Sequence, residues 1–412
     1  MKVVIVSSSD LYGGAARAAY RLHRALLDQN IDSKMIVQKK ISDDYTVISS
    51  SSRIKALINS LRPALDHIIM KLVGSKVLFS SSYLPFSSVV DKIIEMNPDI
   101  VHLHWVTGGT LKIEDLSRIP YPIVWNCQDM WPFTGGCHYD EHCEGYKKGC
   151  GNCQVLGSHK TNDLSKRVFH RKLKTYSKIK DMTVIGVSKW ITECAKESIL
   201  FQKRKILTIP NGIDTKLFKP IDKSIVKSIF QIPLDKKVIL FGAMNSLSDP
   251  RKGAKELFKA LEYLNLDNTV FVIAGSSKPK IPLELKYPVF FIPPLSDEVS
   301  LPLMYNVADV MVIPSLQENL ANSIIESLSC GIPVVAFNIG GNPDMIEHKK
   351  NGYLAKEMDT TDMAKGIEWI LNHDQYDSLS LNARNKVMME FDSDVVSQKY
   401  IELYKTILED RK

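Results

Sequence analysis

The stretch Val312–Phe337, VIPSLQENLANSIIESLSCGIPVVAF, restricts the possible folds more than any other part of the chain. The apolar, largely β-branched run Val310–Ile313 suits a buried parallel strand, and Pro314 with Ser315 ends it. Asn319 can cap a helix that carries Ile324, Ile325 and Leu328 on one face. Gly331 closes the helix, Pro333 stops it continuing, and Val334–Phe337 reads as the next strand. Two carboxylates stand out. Glu318 precedes the helix, and Glu326 lies about 10 Å further along it. Between them, the N–H groups near Asn319 and Leu320 would form an anion site at a helix N-terminus. An acid, an anion cradle and a second acid in a line would match a sugar, a pyrophosphate and a ribose. Two ordinary solvated acids on an amphipathic helix would give the same letters.

The E-x7-E pair, set within P-S-x-x-E…E-S-L-S-C-G-I-P-V-V, resembles the retaining glycosyltransferases of family 4. That resemblance implies that Glu318 holds hydroxyls of the donor sugar and Glu326 holds the ribose. It also implies the GT-B architecture, an α/β fold of two Rossmann-like, doubly wound domains facing across a cleft.

The order of elements agrees with such a fold. Strands are expected at Val3–Ser8, Ser33–Gln38, Tyr45–Ser49, Asp99–His104, Pro122–Cys127, Met182–Val187 and Ile206–Ile209, with helices between them and a long helical region from Arg53 to Val73. Pro210-Asn211-Gly212-Ile213-Asp214 is a turn cluster, similar to the segment joining the halves of family 4 enzymes, and marks a boundary. Strands then recur at Val238–Gly242, Val270–Gly275, Val289–Ile292, Val310–Ile313 and Val334–Phe337. The expected division is 1–209 for an acceptor domain, 210–391 for a nucleotide-sugar donor domain, and 392–412 for a final helix returning to the first domain. Asn351-Gly352-Tyr353-Leu354 reads as a turn.

Ligands in such sheets bind beyond the carboxyl ends of the strands. Gly13-Gly14 sits at one such end, as a tight turn or a loop against the substrates, and the resemblance favours the loop. Gly340-Gly341 sits at another, where the family keeps a similar loop near the donor. Arg251 and Lys252, at the start of a helix, suit a diphosphate and would stabilise the departing nucleoside diphosphate without a metal. Lys252-Gly253 matches the family pattern. The Arg usual soon after the preceding strand is replaced by Ala243-Met244, a gap Arg251 could fill. Catalytic roles thus fall to Glu318, Lys252 and Arg251. Donor binding falls to Glu326, Asn319, Leu320, Gly340, Gly341, Gly13 and Gly14. The acceptor side would use Gln128, Asp129, His104 and His138. Many relatives carry His where this chain has Gln128, whose amide cannot act as a base. His102 and His104 alternate along one strand and share a face, where a packed histidine is the commoner outcome.

Cys137, Cys143, Cys150 and Cys153, within a 131–157 insert, have the spacing C-x5-C-x6-C-x2-C. That is compatible with a structural zinc, with redox thiols, or with buried free cysteines. The insert resembles one found in bacterial surface-polysaccharide enzymes of the family. Between Lys160 and Lys180 a basic amphipathic helix would cover the domain core or touch an anionic membrane.

The chain carries a net charge of +7 and 44% hydrophobic residues, values of a globular protein, and no apolar run approaches a membrane span. A cytoplasmic or peripheral inner-membrane location is expected, without a signal peptide. The reading is a retaining hexosyltransferase with no required cofactor. It would take a nucleotide-sugar donor and a glycan or lipid-linked sugar acceptor, in bacterial polysaccharide biosynthesis. The alternatives are a nucleotide-sugar epimerase, disfavoured by the paired acids and the Lys-Gly loop, and a zinc-ribbon nucleic-acid binder, disfavoured by the acids of the insert.

Overall fold

In the computed structural model, residues 1–412 are described except 50–60, 63–77, 86, 243–246, 248, 276–284, 296 and 412. Most of the helical region expected between Arg53 and Val73 lies outside the described residues, as does Ala243-Met244. The chain divides into two compact units, Met1–Pro210 with Val396–Lys412, and Asn211–Val395.

The first unit begins with β1 (Lys2–Ser9), α1 (Gly14–Asp28), β2 (Asp32–Lys39), β3 (Val47–Ile48), α2 (Val89–Met96), β4 (Ile100–Leu103) and β5 (Ile123–Cys127). It continues with α3 (Leu164–Tyr176), β6 (Met182–Gly186), α4 (Lys189–Glu197) and β7 (Lys205–Thr208). The strands form one parallel sheet in the order β3-β2-β1-β4-β5-β6-β7. The near-continuous apolar letters of β1, β4 and β5 follow from burial on both faces.

The second unit holds α5 (Lys223–Ile229), β8 (Lys237–Gly242), α6 (Ala254–Tyr263), β9 (Thr269–Ala274), β10 (Val289–Ile292), α7 (Leu301–Asn306) and β11 (Val310–Ile313). Then come α8 (Asn322–Ser329), β12 (Val334–Phe337), α9 (Asn342–Met345), β13 (Gly352–Ala355), α10 (Thr360–Leu371) and α11 (Tyr376–Glu390). Its parallel sheet runs β10-β9-β8-β11-β12-β13. Phe241, Phe271, Val335 and Phe337 of the strands pack with Leu257, Ile367 and Ile370 of the helices to make its core. β13 corrects the reading of Asn351–Leu354 as a turn. Gly352 carries no side chain, and a Cβ there would lie 2.4 Å from the Val334 carbonyl, so the residue fits an edge strand drawn close to β12.

The last helix, α12 (Ser393–Glu409), delivers Val396, Tyr400, Ile401, Leu403 and Tyr404 into the core of the first unit beside Val3, Ile5 and Val124. His102 fixes this seam. Its Nδ1 lies 2.6 Å from the Tyr404 hydroxyl and its Nε2 2.8 Å from Asn126 Oδ1, while Asn126 Nδ2 donates to the Tyr400 hydroxyl at 2.7 Å. Burial pulls the His102 pKa down to about 4, so the ring is neutral.

In each sheet the strand order reverses once, between β1 and β4 in the first unit and between β8 and β11 in the second. The carboxyl ends of strands at such a reversal are where ligands bind in open parallel sheets.

Candidate active site

In the second unit the loops after β8 and β11 flank the reversal, and they bring Lys252 and Glu318 together. Asp249 caps a short turn, Pro250–Lys252, by accepting from the Arg251 N–H at 3.0 Å. Gly253 then enters α6 in the left-handed region, φ +68. A Cβ at Gly253 would sit 1.9 Å from the Pro314 carbonyl oxygen, so only glycine permits this contact between the loops. The Leu316 N–H donates to the Arg251 carbonyl at 2.8 Å and closes the junction. Across it, Lys252 Nζ lies 2.9 Å from Glu318 Oε2, with both side chains partly buried.

Arg251 does not join them. Its Nε and Nη2 donate to the Asp249 carboxylate at 3.2 and 2.7 Å. Its charge is met by a neighbour two residues back and not by Glu318. Burial alone would raise the Asp249 carboxyl, and hydrogen bonds and charge from Arg251 more than reverse this.

The start of α8 also differs from expectation. Asn319 is not the cap. The helix opens at Asn322, with Ala321 at the N-cap position and no side-chain acceptor there. Asn319 and Leu320 are buried residues of the preceding loop, so their N–H groups do not form the helix terminus. Gly340 takes φ +50, and a Cβ on it would lie 1.8 Å from the Glu318 carbonyl oxygen. Its small size therefore seats the Glu318 loop. Gly341 occupies the N-cap position of α9.

Glu326 lies within α8 and is buried. The Tyr305 hydroxyl, from the end of α7, donates to Glu326 Oε2 at 2.5 Å and fixes the carboxylate. Tyr305 escaped the sequence reading because it stands 21 residues away on another helix.

At the reversal of the first sheet, Gly13 has φ +93 with open space around its missing Cβ, and it leads into α1 through Gly14. The buried Asp10 carboxylate holds this loop, accepting from Leu11, Ile41 and Ser42 N–H groups, each at 2.9 Å at best. Beyond β4 and β5, Gln128 Nε2 donates to His104 Nδ1 at 3.3 Å. Burial, with the neighbouring His102, pushes the His104 pKa well below its ordinary value. The neutral ring then carries its proton on Nε2, which has no partner among the described residues.

Asp129 and His138 are brought together but turned inward. His138 Nδ1 lies 2.6 Å from Asp129 Oδ2 and its Nε2 3.0 Å from the Ser80 hydroxyl. The Trp105 indole N–H donates to Asp129 at 2.8 Å and the Trp131 N–H at 2.9 Å. Burial would raise the Asp129 carboxyl, and His138 with these donors brings it below the usual range. The pair thus organises two tryptophans, and the fully buried His138 is not placed to meet an acceptor directly.

The cysteine insert shows no assembled metal site among the described residues. Burial raises all four thiols, and Cys143 adds to the rise of Cys137, Cys150 and Cys153. Among the described residues, though, no three His, Cys, Asp or Glu side chains are arranged to hold a metal ion, and all seven cysteines are free thiols. Order comes from a borrowed core. Phe133 meets Tyr146 and Phe201, and Trp131 meets Trp125. Lys172 of α3, which sequence periodicity treats as a surface charge, is fully buried. Its ammonium lies 3.7 Å from the Trp131 ring centre and donates to the Trp131 and Thr134 carbonyls. Burial brings its pKa down to about 7. The inner face of α3 is Val168, Phe169, Lys172 and Tyr176, while Arg167, His170, Leu173 and Lys174 face outward.

Comparison with known proteins places this geometry. Residues 12–217 match the family model described as Glycosyltransferase Family 4, and residues 223–386 match that described as Glycosyl transferases group 1. The chain belongs to glycosyltransferase family 4. This family 4 glycosyltransferase is 27% identical over 224 residues to UDP-Gal:alpha-D-GlcNAc-diphosphoundecaprenol alpha-1,3-galactosyltransferase of Escherichia coli, covering 51% of this chain and 57% of that one. It is 27% identical over 330 residues to an uncharacterized glycosyltransferase of Methanocaldococcus jannaschii, covering 76% of each. The match to the Escherichia coli relative thus spans little over half of that protein's length. Among solved structures, sucrose-phosphate synthase of Thermosynechococcus elongatus superposes with a TM-score of 0.67 over 100% of both chains at 17% identity. Anabaena HepE, in complex with UDP and glucose, gives 0.63 over 98% of this chain and 99% of that one at 16% identity. The fold is GT-B. Among the described residues, no helix is long and apolar enough to cross a membrane.

Proposed function

We propose that this family 4 enzyme is a retaining transferase that moves a hexose from a nucleotide sugar to a glycan or lipid-linked sugar, in a polysaccharide pathway. The observation that carries the reading is the joining of Lys252 and Glu318, from two loops at one strand-order reversal, with Glu326 fixed further along α8. Lys252 meets the diphosphate, Glu318 the hexose hydroxyls and Glu326 the ribose. The bond between anomeric carbon and diphosphate oxygen breaks, and the acceptor oxygen bonds on the same face. The acceptor's proton passes to the departing phosphate. Lys252 offsets the charge that grows on the leaving group, an electrostatic role that needs no metal.

The relatives named for diphosphoundecaprenol-linked substrates, the Escherichia coli enzyme and one from Campylobacter jejuni, support a lipid-linked acceptor. The outward Arg167 and Lys174 of α3 support contact with an anionic membrane face. The test is turnover with a panel of UDP-, GDP- and ADP-hexoses and polyprenyl-diphosphate sugar acceptors, following release of the nucleoside diphosphate. Acceptor-dependent release that disappears in Lys252→Ala supports the reading. Release without dependence on any acceptor, or an inverted anomeric product by NMR, overturns it.

A further inference from the structure

Two claims fall on one ammonium in the second unit. Lys252 Nζ is held by Glu318 Oε2 at 2.9 Å, and under the proposed function the same ammonium must meet the donor's diphosphate. The surrounding backbone is tied on both sides of the pair. The Gly253 loop abuts the Pro314 carbonyl, the Leu316 N–H is bonded to the Arg251 carbonyl, and Gly340 abuts the Glu318 carbonyl from the other side. Side-chain rotation is the smallest motion that parts the pair. Arg251, the other cation of this loop, is itself paired with Asp249.

We infer that Glu318 determines specificity between the sugar-bearing donor and the sugar-free nucleoside diphosphate, by competing with the latter for Lys252. The inference rests on the nucleotide-sugar reading above. A nucleotide sugar brings hydroxyls that donate to Glu318, so the carboxylate gains partners as it yields the ammonium. A bare nucleoside diphosphate brings none. It must then either leave the Lys252–Glu318 pair intact and bind without its cation, or break the pair and leave a partly buried carboxylate unpaired beside its own negative charge. After transfer, Glu318 loses the sugar, recaptures Lys252 and weakens the hold on the product.

Calorimetry of the full chain with UDP, ADP, GDP and UDP-glucose tests this on wild type, Glu318→Gln, Lys252→Ala and the double variant. Gln keeps the volume and removes the charge. The expected result is a nucleoside diphosphate bound about fivefold more tightly by Glu318→Gln than by wild type, the scale of a partly exposed ion pair. UDP-glucose should gain less or weaken, and the gain for the diphosphate should vanish in the double variant compared with Lys252→Ala. Glu318→Asp, with its carboxylate drawn back by one methylene, should shift the same way by less, which gives a second reading if Glu318→Gln melts early. Nucleoside diphosphate bound no better by Glu318→Gln, or a gain that persists without Lys252, overturns the inference while leaving the nucleotide-sugar reading standing. Wild-type and Glu318→Gln protein that both bind neither UDP-glucose nor any of the three diphosphates overturn both.

Discussion

At the scale of single residues, the junction around Gly253 makes the sharpest demand. Its φ of +68 and the 1.9 Å that would separate an added Cβ from the Pro314 oxygen leave no room for alanine. Gly253→Ala should cost about 2 kcal/mol or more, by strain at one special position. It should also separate Lys252 from Glu318, so thermal melting and turnover should fall together. Lys252→Ala and Glu318→Ala should behave differently. Both side chains are partly exposed and neither fills the core, so melting should hold while transfer drops by about a hundredfold or more, as expected when one preorganised charge is removed. Near-normal turnover in either would remove the donor-site assignment. The spacing of Glu318, Glu326 and Lys252-Gly253 was readable because those residues recur as an ordered set. The capture of Arg251 by Asp249 was not, because the direction a long side chain takes is decided by neighbours that spacing cannot rank. Tyr305 was hidden for a related reason, being a partner supplied by a different helix.

At the scale of elements, most strands declared themselves through continuous apolar runs, since a parallel strand buried on both faces has no polar side to show. β13 did not, because a short edge strand beginning with glycine carries the letters of a turn. The opening of α8 was misplaced for a second physical reason. Asn319 is a good cap by type, yet the Glu318 loop seats against Gly340, and the helix begins only at Asn322. The seam between β4 and α12 gives a prediction of pH dependence. His102 in this seam and His23, on α1 between the Ser33 and Thr46 hydroxyls, are buried as neutral rings, each with a pKa brought to about 4 by burial from an unfolded value near 6.5. Within that window the unfolded chain binds more protons, so stability rises with pH and is lost as pH falls from 6.5 towards 4. Between pH 6.5 and 5 each ring should withdraw about 2 kcal/mol. Urea denaturation at the two pH values should show the loss, and His102→Asn should remove part of the slope. A flat profile for wild type would contradict the neutral, buried assignment.

At the scale of the whole molecule, the chain returns on itself, so sequence order and folding units do not coincide. The first unit takes Met1–Pro210 and then Val396–Lys412, and it relies on Val396, Tyr400, Ile401 and Tyr404 to fill the core beneath its sheet. Losing these leaves Val3, Ile5, Ile100 and Val124 against solvent and strips His102 and Asn126 of the hydroxyls that satisfy them. Burial of each such aromatic or aliphatic side chain contributes roughly 1.5–3 kcal/mol, so together they exceed much of the stability typical of a domain. A fragment ending at Pro210 should therefore be insoluble or molten. By contrast, Asn211–Val395 holds its own six-stranded sheet, its own core, and Lys252, Glu318 and Glu326 together. Expressed alone, it should fold cooperatively and bind a nucleoside diphosphate by calorimetry while transferring no sugar. If that fragment folds but does not bind, the donor contacts assigned to it are insufficient. If the Pro210 fragment proves as stable as the full chain, α12 is a surface strap and the tyrosine–histidine seam adds little.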